Sequence, residues 1–217
     1  MTQDHYGGLP ASLRPLAASL PPPAGLGDGG RQAAVLIPFA EDPSTPPPGL
    51  RLVLVEKSPH LRNHAGQLAF PGGGVDAQDA DVQAAALREA AEEVGITPDE
   101  VDILGQLPPV QAVTGYQVSP VVGWWRRPRP LKPVDTVEVA AVHSVTVADL
   151  IDPALRYTWK HRLGFTGPAF VIADLFIWGL TASFIDDVLR SGGWAVPWDT
   201  ARVAEIPARF DGAAGRL

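Results

Sequence analysis

Fourteen consecutive residues without proline or glycine, DVQAAALREAAEEV at positions 81–94, stand out in a chain of 217 residues that holds 23 Pro and 22 Gly. Alanine, leucine, glutamate and arginine lose little freedom on entering a helix, and Gly95 follows where a C-terminal cap is wanted, so the stretch predicts a helix. Residues three and four apart share a helical face, which puts Glu89 beside Glu92 and Glu93 and lets Arg88 reach Glu92. Three carboxylates on one face repel one another. Hard oxygen ligands are what a magnesium or manganese ion attracts, and such an ion would relieve the repulsion. A solvated acidic face is the plainer reading, and helix spacing alone leaves the two at even odds.

The prolines and glycines partition the rest. Residues 8–30 are rich in both and include Pro21, Pro22 and Pro23, so 1–30 reads as an irregular N-terminal arm. Two apolar runs, 33–39 and 50–55, flank the turn-rich EDPSTPPPG and read as adjacent strands. Residues 57–74 look like functional loop. Further strands are expected at 101–107, 117–124 and 136–143, with loop at Pro108, Pro109 and across RRPRPLKP from Arg126. The most apolar stretch, 170–185, is interrupted by Asp174 and too short to span a membrane; it reads as a core helix, and the second substantial helix of the chain, after 81–94, is expected over 174–189. Strands lying between helices imply an α/β fold with a mixed sheet and helices on both faces. The domain is expected over 31–190, and 191–217 form an extension packed on it or trailing from it.

The formal charge of -7 argues against a broad footprint for nucleic acid or an anionic membrane, while a small anionic ligand carrying metal remains compatible. A chain without cysteine has no disulfide, thiolate zinc site or cysteine nucleophile. The opening MTQDHYGGLP lacks the features of a signal peptide, so a cytoplasmic setting is expected, with a small-molecule substrate and an oligomeric state left unknown.

The segment FPGGGVDAQDADVQAAALREAAEEVGI, residues 70–96, resembles the signature box of the Nudix hydrolase family. That pattern is Gly, five residues, Glu, seven residues, Arg-Glu, an aliphatic residue, any residue, Glu-Glu, any residue, Gly and an aliphatic residue. Arg88, Glu89, Glu92, Glu93, Gly95 and Ile96 match, and Ala90 fills the aliphatic slot. Counted from Gly73, the first Glu slot holds Asp79 and one extra residue precedes Arg88; counted from Gly74, the spacing to Arg88 is right but the slot holds Ala80. Upstream, VLVEKSPHLRNHAGQLAFPGG, residues 53–73, resembles the additional motif of the coenzyme A pyrophosphatase subfamily through Leu61, Arg62, Gly66 and residues 70–73, with Lys57 where that motif has Arg. IWGLTASFI, residues 177–185, is a weaker echo of the same subfamily's final helix.

The resemblance implies an α/β/α sandwich and hydrolysis of a diphosphate with Mg2+ or Mn2+. It implies metal coordination by Glu89, Glu92 and Glu93, with Glu89 also the first choice of general base. Gly73 would contribute a backbone carbonyl, since a Gly triplet lets backbone approach an ion, although a tight turn is the ordinary use of such a triplet. Arg88 is read as structural support through Glu92, and Arg62 and Lys57 as substrate-binding. His64 and Gln67 stand near by position only. Glu138 is equally a further ligand or a strand-edge charge. Six tryptophans, Trp124, Trp125, Trp159 and Trp178 among them, could stack on an adenine, but large aromatics more often anchor packing and none is assigned to the site. The implied reaction splits coenzyme A or its acyl and oxidised derivatives into adenosine 3',5'-bisphosphate and a 4'-phosphopantetheine product. ADP-ribose, a dinucleotide or a nucleoside triphosphate is the alternative substrate, and a silent nucleotide-binding module is the alternative class.

Overall fold

A computed structural model describes residues 8–22, 25, 30–161 and 164–210. The expectations for 1–7, 23–24 and 26–29 of the arm, and for 211–217 of the extension, lie outside the described residues.

The apolar run at 33–39 sits in strand β1 (Arg31–Glu41), which is buried on both sides. Along one edge it runs parallel to β7 (Tyr116–Trp125), from Arg31 opposite Tyr116 to Phe39 opposite Trp124. Strands β5 (Val101–Gln106) and β6 (Val110–Gln111) join β7 antiparallel. The other edge of β1 is divided. Strand β2 (Leu50–Lys57) pairs with it only from Phe39 opposite Leu52 to Glu41 opposite Leu50, and the two then diverge. The wedge between them is filled by β3 (Leu68–Ala69) on β2 and β4 (Gly72–Gly74) on β1, while β8 (Val139–Thr146) covers the far edge of β2. Residues 57–74 are thus partly sheet, and the glycine triplet is a strand rather than a turn.

Alternate residues of β1 enter different cores. Ala34, Leu36 and Ala40 pack with Val82, Ala85, Ala86, Ala90 and Val94 of α2 (Val82–Val94). Ile37 and Phe39 pack with Phe184, Ile185, Val188 and Leu189 of α4 (Gly179–Ser191). The result is the expected α/β/α sandwich around a mixed sheet. A short helix α3 (Val147–Ile151) follows β8. Helix α2 begins where Asp81 accepts a hydrogen bond from the Ala84 amide and ends at Gly95 with φ +74°.

Four expectations need correction. The arm is not wholly irregular: residues 11–19 form a helical turn and α1 (Arg14–Ser19), with Leu13 and Leu16 fully buried. Pro15 lies in the first helical turn, where its missing N–H costs no bond. The chain then crosses β5 at Gly105, where a β-carbon would stand 2.5 Å from Leu20 Cβ. The strand expected at 136–143 starts three residues later, because the Asp135 carboxylate accepts from the Val137 and Glu138 amides and holds a turn.

The stretch 170–185 is not one helix. It contains the end of β10 (Thr166–Ile172), a turn at Ala173 with φ +52°, β11 (Leu175–Ile177) and only the start of α4. With β9 (Arg156–Lys160) and β12 (Val203–Glu205) these strands make a second sheet of order β11-β10-β9-β12, which the sequence reading did not contain. Part of the C-terminal extension is therefore packed down, and Phe210 is buried. Arg156, 1% exposed, joins this sheet to α4 through Asp186.

Candidate active site

The wedge between β1 and β2 brings β4 under α2. A β-carbon on Gly72 would lie 2.4 Å from the Ala34 carbonyl oxygen, and one on Gly73 would lie 2.5 Å from Glu89 Oε1. These glycines are required by close approach: the Glu89 carboxylate occupies the space a side chain at 73 would fill. Glu93 lies one helical turn further on, its side chain 3% exposed. It accepts from the Gly72 amide at 3.0 Å and from Lys57 Nζ at 2.5 Å, and Lys57 Nζ lies 3.6 Å from Glu138 Oε2. Burial pushes the Glu93 carboxyl above the usual carboxylate range, against the opposing pull of Lys57. Burial also raises Glu89, with Arg88 pulling the other way.

Arg88 ties the rest together. Its guanidinium donates to both oxygens of Asp79 at 3.1 and 3.0 Å, to the Gly74 carbonyl at 3.0 Å, to Glu89 at 2.9 Å and to Glu92 at 3.0 Å. Paired hydrogen bonds from Arg88 hold Asp79 below its ordinary pKa, and Asp79 in turn accepts from the Asp76 amide.

The other sequence-derived residues are spread around this centre. Lys57 faces Glu93. Arg62 is exposed, with no hydrogen bond or ion pair among the described residues. His64, at φ +60°, and Gln67 pair with each other at 3.1 Å. Glu138 sits in the turn before β8, half exposed and linked to the centre through Lys57. Trp124 and Trp125 are buried in the central cores. Trp159 and Trp178, by contrast, line a cleft of about 600 Å3 that also touches Lys57, Gly72, Gly73 and Gly74. Sequence reading raised these tryptophans as stacking candidates but assigned none to the site, because the second sheet that carries them to the cleft was not foreseen. It missed the Lys57–Glu93 pair because the two residues meet only through the tertiary fold.

A Nudix domain model matches residues 30–163. The chain belongs to the Nudix family. NudL of Escherichia coli O1:K1 / APEC, named an uncharacterized Nudix hydrolase, is 45% identical over 161 residues, covering 73% of this chain and 81% of the relative. NudL of Shigella boydii serotype 18 is similar to the same extent. Among solved structures, the Nudix hydrolase RenU of M. smegmatis has a TM-score of 0.53 at 17% identity, over 80% of this chain and 99% of its own. A Nudix hydrolase of Nitrosomonas europaea has a TM-score of 0.51 at 11% identity, over 83% and 82%. Both share the fold.

Nudix hydrolases generally need a divalent metal such as Mg2+ or Mn2+. Among the described residues no three acidic or histidine side chains converge into a ready cage, because Arg88 and Lys57 already hold the carboxylates. The donor chemistry nevertheless fits a hard ion. Glu89, Glu92 and Glu93 present oxygen only, burial disfavours the charge on two of them, and a dication would offset that cost. Among the described residues no helix is long and apolar enough to cross a membrane.

Proposed function

We propose that this Nudix hydrolase splits the diphosphate of coenzyme A or its derivatives into adenosine 3',5'-bisphosphate and 4'-phosphopantetheine. The observation that carries the reading is the packing of Glu89 and Glu93 on Gly73 and Gly72 at the edge of the cleft. Magnesium or manganese held by Glu89, Glu92, Glu93 and the Gly73 carbonyl would offset phosphate charge and acidify water. Glu89, half-buried with a raised pKa, is assigned the proton of the attacking water. Arg88 fixes the rotamers of Glu89 and Glu92 and holds the loop through Asp79.

Coenzyme A specificity is supported by the segment from β2 to β4, where Leu61, Arg62, Gly66 and residues 70–73 resemble the subfamily motif. Arg62, exposed and without a hydrogen bond or ion pair among the described residues, is suited to paired hydrogen bonds with the 3'-phosphate. Lys57, read from the motif as a substrate contact, instead supports Glu93 from the cleft side. Product analysis on coenzyme A, ADP-ribose, a dinucleotide and a nucleoside triphosphate tests the substrate class. Arg62→Ala should lower kcat/KM for coenzyme A by about 1.5 to 3 kcal/mol and barely change it for dephospho-coenzyme A; equal losses would reject the 3'-phosphate contact.

One observation favours a second reading, a silent nucleotide-binding module: Arg88 and Lys57 between them engage all three glutamates. Metal-dependent turnover excludes it.

A further inference from the structure

Residues 126–138, which join β7 to β8, cross the C-terminal end of α2 as a strap. Pro128, Pro130 and Pro133 fix their own backbone, and Arg127, Arg129 and Lys132 each precede a proline, which holds them to extended conformations. The connection is therefore stiff without being helix or strand. It is also anchored. The Arg126 amide donates to the Glu100 carbonyl at 3.0 Å, Leu131 packs against the core beneath α2, and the Arg129 guanidinium lies 5.6 Å from the ring centroid of the buried Trp125.

The last carbonyls of a helix lack partners within it, and at this end of α2 the strap supplies them. The Glu93 carbonyl accepts from the Val134 amide at 2.9 Å, and the carbonyl of Gly95, the capping residue, accepts from Arg129 Nη2 at 2.6 Å. Arg129 Nη1 donates to both oxygens of Glu100, at 2.7 and 2.9 Å, so one guanidinium joins the end of α2 to a buried carboxylate just ahead of β5. Further along, the Asp135 turn delivers Glu138. Its carbonyl accepts from the Ser58 amide at 2.7 Å, and its carboxylate lies 3.6 Å from Lys57 Nζ, which donates to Glu93. Glu93 is thus held at both ends by one strap: the backbone through Val134, the carboxylate through Glu138 and Lys57. Surface ion pairs ordinarily add little stability, but a forked arginine with three bonds to two elements restricts geometry even where it adds little.

We propose that Arg129 is a positioning residue for the metal centre assigned to α2: by joining the end of the helix to Glu100 it fixes the last helical turn, and with it the placement of Glu92 and Glu93. This role rests on the metal-dependent diphosphatase reading and adds to it a side chain that does not line the cleft. Groups that stand behind a metal ligand set its orientation, and losing one costs about 10- to 100-fold in metal affinity or activity.

The test is Mn2+ binding by the full chain, read from the electron paramagnetic resonance signal of the free ion, beside turnover of coenzyme A. Arg129→Ala should bind Mn2+ about tenfold more weakly and lose about tenfold in kcat at saturating metal, with KM for coenzyme A changed by less than about twofold. A lower melting temperature with wild-type Mn2+ affinity and wild-type kcat would reduce Arg129 to packing and overturn the proposal. Arg127→Ala removes a neighbouring charge that pairs with Asp99 at 3.0 Å on the surface, and it should leave the Mn2+ affinity unchanged. An equal loss there would make the effect one of strap charge and overturn the proposal as well. If Arg129→Ala does not fold, Arg129→Lys decides: lysine keeps a charge facing Glu100 but has no planar fork to span it and the Gly95 carbonyl. The same loss of Mn2+ affinity is expected, and wild-type affinity overturns the proposal. Wild-type protein that binds Mn2+ without cleaving coenzyme A would end the proposed function and leave the role of Arg129 to be decided by Mn2+ binding. Wild-type protein that binds no Mn2+ would end both.

Discussion

Helices α2 and α4 are each thirteen residues long and pack on opposite faces of one sheet, but their contact surfaces differ in size. Ala85, Ala86 and Ala90, all fully buried, let α2 settle close to the strands, and this closeness places Glu89 on the backbone of Gly73. Helix α4 buries Phe184, Ile185, Val188 and Leu189 and fills volume instead. Small residues sacrifice apolar burial for approach, and large ones do the reverse. The glutamates proposed for the chemistry therefore lie on the thin side of the sheet and much of the packing energy on the thick side.

Truncating the thick side should give the largest effect. Leu189→Ala truncates a fully buried side chain away from the cleft and should cost about 2 to 5 kcal/mol of unfolding free energy in urea, with turnover of the remaining folded enzyme little changed. A loss under about 1 kcal/mol would erase the contrast between the helices, because core truncations of this size are seldom absorbed.

On the thin side the effect should fall on activity. Glu93→Gln keeps the shape and the acceptor for the Gly72 amide but removes the charge facing Lys57. Turnover at saturating magnesium should drop by at least ~100-fold, the scale of a lost charge-stabilising contact, while the melting curve still shows a folded protein. Near wild-type turnover would remove Glu93 from the site.

A smaller effect is a stability profile with two opposing limbs. Burial raises Glu89 and Glu93 above their ordinary value of 4.5, so their contribution is fully present below that value and is lost as pH rises through their folded values. Arg88 holds Asp79 below its ordinary 3.8, so its contribution is present above that value and is lost as pH falls through the folded one. Metal-free protein should gain stability on acidification from neutrality and lose it again at the acid end. Asp79→Asn should weaken only the acid limb. Urea unfolding across pH checks both, and an acid limb unchanged in the variant would remove Asp79 from the account.

The same contrast explains what was legible in the sequence. The signals of α2 are local: a run free of proline and glycine, a terminal Gly95, and charges at three- and four-residue spacing, all read along one helix, whereas Asp81 was read as its first residue and is its cap. The Arg88–Glu92 contact follows from that spacing. The start of α4 was misplaced because the residues before it are apolar in either conformation, and the hairpin turn at Ala173 has no glycine or proline to announce it. The second sheet depends on β12 returning to β9 from far along the chain, which no local pattern carries. Helix α1 was hidden by Pro15, a residue that excludes a helix interior but suits its first turn. At the site, the pairing of Lys57 with Glu93 and the bending of Asp79 onto Arg88 are tertiary facts, invisible to spacing along one element.

The most direct test of the central claim, that the carboxylates of α2 packed against β4 hold a divalent ion for diphosphate hydrolysis, is coenzyme A turnover in a magnesium titration with products identified. The account predicts no turnover in excess chelator, and release of adenosine 3',5'-bisphosphate and 4'-phosphopantetheine as magnesium or manganese is restored. Full activity in excess chelator, or no cleavage of coenzyme A at any metal concentration, would contradict it.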